Sequence, residues 1–252
     1  MELELCETPP KEKPFQFSVR AMLIGVTILA VVLSLGGWAY RVMREEERIN
    51  RCQHNLKQIA VALHNYHDVF RHFPAAFSAG PNGKPWHSWR VEILPFLEQG
   101  PLFKSYSFAE PWNGPINGKL TKAAPDCYRC PYDEGPATDT SYLAVAGPGT
   151  IWPDGKPTRF RDILDGTSYT IMIVEVANSG IHWMEPRDLR IDDMDFRVNG
   201  TPGKSVSSNH IQGAAVLFMD GHVELLGPDT ATTKLESWLL VSDEAQQPRD
   251  TE

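Results

Sequence analysis

The chain lacks a second Cys-x-x-Cys to match Cys127 and Cys130, so its spacing does not spell a closed four-thiolate zinc site. Four cysteines in 252 residues are also too few for a disulfide scaffold. No Gly-x-Ser-x-Gly elbow is present, and Gly147-Pro148-Gly149-Thr150 lacks the Lys of a phosphate-binding loop and reads as a turn. Basic residues are in the minority: the formal net charge is −8 and the pI about 5.5, which argues against a nucleic-acid partner. Most of the 20 prolines and 19 glycines follow residue 73, so long helices are not expected there. The most consequential absence is charge itself, since none occurs between Arg20 and Arg41.

That uncharged stretch, AMLIGVTILAVVLSLGGWAY, matches the roughly 20 apolar residues a helix needs to cross a hydrocarbon core. Trp38 and Tyr40 stand at its downstream end, where amphipathic rings favour the headgroup layer. No clean Ala-x-Ala follows the apolar run, so a retained anchor is the preferred reading over a cleaved signal. The helical pattern then continues with a new period. Ile49, Cys52, Leu56, Ile59, Leu63, Tyr66 and Phe70 recur at steps of three and four, one face of a helix in water. The reading is a transmembrane helix over 20–41 and an amphipathic continuation over 42–73, a rod of about 75 Å that stops before Pro74. Gly25, Gly36 and Gly37 would allow close lateral approach of a neighbouring helix. Basic residues flank the span almost evenly: Lys11, Lys13 and Arg20 precede it, while Arg41, Arg44, Arg48 and Arg51 follow. Charge alone leans by one residue toward a cytoplasmic head.

Residues 74–240 read as an α+β head, with a flexible tail over 241–252. Residues 91–99 suggest a short helix, and 141–146, 170–176 and 181–184 suggest strands. In AAVLFMDGHVELL, Asp220-Gly221 between two apolar runs predicts a two-residue hairpin, with Val216 and Phe218 on one face and Leu217 and Met219 on the other.

Each candidate for chemistry has a plainer alternative. His64, His67, Asp68 and His72 are close enough on the helix for a pair to share a metal, but they spread over more than one face and serve better as packing residues. Asp188, Asp192, Asp193 and Asp195 are oxygen-rich but lack the Gly and closing Glu of a calcium loop. His210 and Asp220, with Ser207 or Ser208, could form a hydrolytic triad, although a buried structural His fits as well. Cys127-x-x-Cys130 could be a redox pair, or could recruit Cys52 and His54 as further ligands. No metal, cofactor or catalytic residue is assigned; His64, His67, Asp192 and Asp193 are the residues that would hold an ion.

Several segments match a known family in order. CQHNLKQIAVALHNYHDVFRHFP is followed by SWRVEILPFLEQGPLF, PWNGPIN, CPYDEG, TSYLAVAGPGT, DILDGTSYTIMIVE and WMEPRDL. Last comes His210, nine residues, then Asp220-Gly221. Together these cover about 41–226 and resemble a large bacterial family of pseudopilin-like proteins of unknown function. The resemblance implies a type IV pilin-like fold, with the long N-terminal helix packed on a mostly antiparallel sheet, and a single pass through the inner membrane. Residues 1–19 would be a cytoplasmic tail and the head would be extracytoplasmic. It implies as partners membrane lipid and other pilin-like or secretion-system proteins, and no catalysis. In an oxidising compartment a disulfide is expected, preferably Cys52 to Cys130 with Cys52 to Cys127 as rival. His210, Asp220 and Gly221 form a structural motif. The chain departs from prepilins in lacking Gly before Phe17 and any Glu between Lys13 and Arg44, so it reads as a permanently anchored relative rather than a fibre subunit. The rival functions are a tethered carbohydrate- or peptide-binding module, with Trp86, Trp89, Trp112, Trp152 and Trp183 as its surface, and a membrane-tethered hydrolase.

Overall fold

The computed structural model of the chain describes residues 18–241; Cys6 and the expected tails, apart from residues 18, 19 and 241, lie outside them. The chain divides into two compact units, one ending at Glu46 and the other beginning at Glu47.

In the first unit the described residues after Ser18 belong to α1 (Val19–Phe70). An 18-residue window here is apolar enough to cross a membrane and has none of its residues buried. Leu23, Ile28, Leu33 and their neighbours are all exposed. Thr27 and Ser34 return their hydroxyls to the carbonyls of Ile24 and Val31, at 2.8 Å each, so neither leaves a polar group seeking a partner.

In the second unit, α1 buries the stripe that the spacing predicts. Cys52, Leu56, Ile59 and Leu63 are fully buried, and Ile49 and Tyr66 nearly so. Phe70 departs from the pattern at 50 % exposure. The helix ends at Phe70 rather than at 72–73, because Arg71 adopts a left-handed φ of 63°. Its N–H still reaches His67 O at 2.7 Å, and the amide of Phe73 is taken by Thr158 O at 2.8 Å.

Facing this stripe is a four-stranded antiparallel sheet in the order β3 (Tyr142–Leu143), β5 (Ile171–Glu175), β7 (Ala214–Phe218), β8 (Val223–Leu226). Both faces are covered. Met172, Ile173, Ala215 and Leu217 join the core that includes the α1 stripe. Val174, Val216 and Phe218 join a second core with Leu235 and Leu239 of α4 (Thr232–Leu239). The period-two split predicted for 214–219 is therefore observed. Two small ladders complete the head: β1 (Phe77–Ala79) pairs antiparallel with β2 (Pro85–Ser88), and β4 (Val145–Ala146) pairs parallel with β6 (Leu189–Arg190). A long helix with antiparallel sheets makes an α+β arrangement consistent with a pilin-like fold.

Three local expectations are corrected. In place of the single helix expected over 91–99 stand α2 (Trp89–Glu92) and a 3-10 turn (Leu94–Leu97), with α3 (Gly100–Ser105) following. Pro95 and Pro101, each lacking an amide proton, sit in first turns where none is needed. Residues 181–184 form no strand, only an isolated bridge of His182 to Asp139, because Glu185 N bonds back to His182 O and closes a turn. The hairpin loop has three residues. Gly221 N donates to Phe218 O and Phe218 N to His222 O, both at 3.0 Å, and only Gly221 of the Asp220-Gly221 pair has positive φ (91°). This is a type I turn with a glycine bulge.

Candidate functional site

The sheet and helix bring four side chains from four separate elements to one buried point. Cys52 comes from α1, Cys130 from the loop after the 3-10 turn Asp126–Tyr128, Glu175 from the end of β5, and His210 from the loop before β7. One ligand atom of each lies within 4.8 Å of every other. His210 Nε2 is 3.1 Å from Cys52 Sγ, 3.2 Å from Cys130 Sγ and 3.8 Å from Glu175 Oε1. None of the four residues is more than 3 % exposed.

Each ligand is held by its surroundings. Asn55, three residues along α1 from Cys52, donates to Arg129 O at 2.9 Å and so ties the helix to the loop that carries Cys130. Cys130 N donates to Ser141 Oγ at 2.9 Å, and Ser141 donates in turn to Asp133 Oδ2 at 2.6 Å. Arg129 fastens the same loop through the carbonyls of Asp133, Gly135 and Pro136. Glu175 accepts from Ser208 Oγ and from the amide of Ala215, both at 2.9 Å. His210 N donates to Ser208 Oγ at 3.2 Å, and the Tyr132 ring stands edge-on to the imidazole at 4.6 Å. Orientation by hydrogen bonds and packing of this kind is how proteins aim metal-binding side chains.

The electrostatics divide the two thiols. The hydrogen bond from Cys130 lowers the Cys52 thiol to about 6 against the opposing effect of burial, and His210 adds to the lowering. Cys130 moves the other way, raised by that same hydrogen bond and by burial. Burial lifts Glu175 to about 7, with the nearby Cys52 adding to it and the Ala215 amide opposing. The two sulfurs are thus shifted in opposite directions by the hydrogen bond they share. Two sulfurs, an imidazole and a carboxylate form a donor set for a borderline-soft metal ion.

The residues singled out from sequence fall elsewhere, except for Cys52, Cys130 and His210. The disulfide expected between Cys52 and Cys130 is not formed: both are free thiols facing the same imidazole nitrogen. Cys127, also free, is outside the cluster, and burial raises its thiol to about 12. His64 reaches Met219 O at 2.8 Å and stacks on Phe160, while His67 packs against Phe73 and Phe160. His72 Nδ1 is 2.8 Å from Phe73 O, and His54 pairs with Gln58 on the surface. Asp192 pairs with Arg190 and Asp193 with Lys204, so these carboxylates neutralise basic residues at the surface. Asp195 accepts from Arg197 and Thr201. Asp188, read with them as a loop acid, is instead the buried counterion of Arg90 and also accepts from Ala144 N at 2.8 Å. The triad reading fails on geometry: Asp220 bonds Ser168 and His222, and Ser208 serves Glu175.

The tryptophans do not make a binding platform either. Trp89, Trp152 and Trp183 are buried, and Trp152 and Trp183 spend their N–H groups on Met172 O and Thr121 O. Trp86 and Trp112 are half-buried.

Sequence reasoning missed Glu175. In the run Ile171–Glu175 every residue is buried, so nothing in the pattern marks the acid as facing the cysteines. Its one signal is a carboxylate where a fully buried strand calls for an apolar residue.

A long N-terminal helix with an apolar first part, an antiparallel α+β head and a buried Cys-Cys-Glu-His cluster define the class of protein. The chain belongs to the family described as a protein of unknown function (DUF1559), which matches residues 41–156 and 132–193. No curated protein matches the chain. No solved structure matches it.

Proposed function

We propose that this is a membrane-anchored, non-enzymatic, pseudopilin-like protein whose head works through protein–protein contacts in assemblies related to type II secretion or pilus systems. The observation that carries this reading is α1. Its first part is uncharged from residue 21 to 40 and buries none of its apolar side chains, while the part after Glu46 gives its stripe to the head core. Exposed leucines and isoleucines along a whole helix segment need an apolar solvent, and a bilayer supplies one. In this reading the anchor crosses the inner membrane once, lipid is its first partner, the head lies on the extracytoplasmic side, and other pilin-like chains pack against the anchor. A head that only assembles needs no reactive groups, and the cluster's burial suits a structural role.

The test is membrane fractionation followed by protease treatment of spheroplasts. The full chain should sediment with the inner membrane, resist carbonate extraction and lose its head to added protease. A head protected in intact spheroplasts and digested only after lysis would place it in the cytoplasm and overturn the topology.

A further inference from the structure

We propose that Cys52, Cys130, Glu175 and His210 bind one divalent transition-metal ion, zinc above all, which fastens α1 to the sheet. This does not rest on the membrane assignment.

The geometry comes first. Tetrahedral zinc, with bonds of about 2.3 Å to sulfur and about 2.0–2.1 Å to nitrogen or oxygen, sets its ligand atoms about 3.3–3.8 Å apart. The imidazole nitrogen lies 3.1 and 3.2 Å from the sulfurs and 3.8 Å from the carboxylate oxygen, within about half an ångström of those edges. The donors are S, S, N and O, one from each of four elements, so an ion there crosslinks the helix, a loop, the central strand and the loop before β7.

Charge balance comes second. Burying a carboxylate costs several kcal/mol unless an opposite charge or enough donors face it. Among the described residues no Lys or Arg pairs with Glu175; its partners are Ser208, the Ala215 amide, Cys130 and His210. A dication uses all four. In the bound form both sulfurs are thiolates: each gives up whatever proton it still shares with its neighbours to solvent as its metal–sulfur bond forms, with no change of oxidation state. The dication offsets the two thiolate charges, and the remaining carboxylate charge is met by the Ser208 hydroxyl and the Ala215 amide.

The donor set also selects the metal. Two sulfurs disfavour calcium and magnesium, which take oxygen. With all four positions supplied by protein and solvent excluded, the site is structural, with no open position for an activated water. A cleft of about 570 Å³ beside the cluster includes Asn55, Arg129 and Cys130 in its lining. In an oxidising compartment the bound ion would also keep the two thiols from pairing.

The experiment uses the full chain in detergent, reduced, stripped of metal and titrated with zinc(II) or cobalt(II) alone. One ion per chain should bind, and the cobalt form should show tetrahedral d–d bands and sulfur-to-cobalt charge transfer. Zinc should shield Cys52 and Cys130 from alkylation and a chelator should restore their labelling, a readout that needs no variant. His210→Ala should weaken binding about hundredfold or more. Cys127→Ser should bind like the parent. Glu175→Gln should keep the charge-transfer band while weakening the site. A folded parent that takes up no ion, or a Cys52–Cys130 disulfide found by peptide mapping of protein isolated without reductant, would overturn the proposal. Loss of the ion in Cys127→Ser would overturn the ligand set.

Discussion

The two stretches of α1 share a backbone and differ in what their side chains meet. Before Arg41 the apolar residues are distributed all round the helix, and none is buried. After Glu46 most of them lie on one stripe, Val61, Val69 and Phe70 being exposed, and that stripe is the wall of a core containing Trp89, Trp183 and the inner face of the sheet. A helix that is apolar on every side has no preferred partner surface and asks only for an apolar solvent, whereas a helix with one apolar stripe has a specific docking face. Single substitutions should therefore act by opposite rules: shape matters in the head, charge in the anchor.

The largest effect should come from the head's buried polar centre. Arg90 is fully buried, paired with Asp188, and donates to Tyr142 O at 3.2 and 3.1 Å and to Ser88 Oγ at 2.9 Å. Asp188→Asn strands that guanidinium and should cost the head about 3–5 kcal/mol in urea unfolding. By contrast, Asp154→Asn, which breaks a pair with the half-exposed Arg190, should cost at most about 1 kcal/mol. Equal losses from the two would deny that the head has a special interior pair.

Next comes the stripe itself. Leu56→Ala removes a fully buried side chain and should destabilise the head by about 2–5 kcal/mol. Leu29→Ala, at a position 58 % exposed, should leave head unfolding unchanged. Placing a charge there should instead act on insertion: Leu29→Arg should cost about 2.5–3.5 kcal/mol of membrane partitioning, read as the fraction extracted by carbonate. If Leu29→Ala and Leu56→Ala behaved alike, the contrast between the two stretches would be broken.

The smallest effect is a pH dependence at the far end of the stripe. Tyr66 donates to Glu92 at 3.2 Å, Ser78 donates to the same carboxylate, and burial raises that carboxylate above its usual 4.5. A raised acid favours the protonated form in the fold, so its contribution is complete below about pH 4.5 and is lost as pH climbs through the raised value. Glu92→Gln should match the parent near pH 4 and exceed it in stability near pH 8, read by urea unfolding at the two pH values. A gap that widens toward acid would reverse the sign and refute the burial argument.

Much of this was legible in the sequence where a periodic rule applies. The stripe from Ile49 to Tyr66 and the two faces of 214–219 follow from counting threes, fours and twos, and the long apolar helix after Arg20 from its uncharged run. The rule failed where a tertiary contact decides. Arg71 turns left-handed and leaves Phe70 exposed, and residues 181–184 close a turn although their composition suits a strand. Helix α4 went unread because eight residues with two buried leucines give too short a pattern to stand out in a Gly- and Pro-rich head.

The cluster was half legible. Cys52, Cys130 and His210 were each noticed, but for a disulfide and a structural motif rather than as one set. Their meeting with Glu175 depends on strand register and two loop paths, which spacing along the chain does not encode. The one hint was positional, since Cys52, Cys130, Glu175 and His210 each fall within a segment by which the chain resembles its family.

The central claim is that one helix has its first part in lipid and its later stripe in the head. The direct measurement is photolabelling of the full chain in liposomes with a bilayer-partitioning diazirine, read by peptide mapping. Labels should concentrate on residues 21–40 and spare Ile49, Leu56, Ile59 and Leu63. Labels on those four, or none on 21–40, would contradict the account.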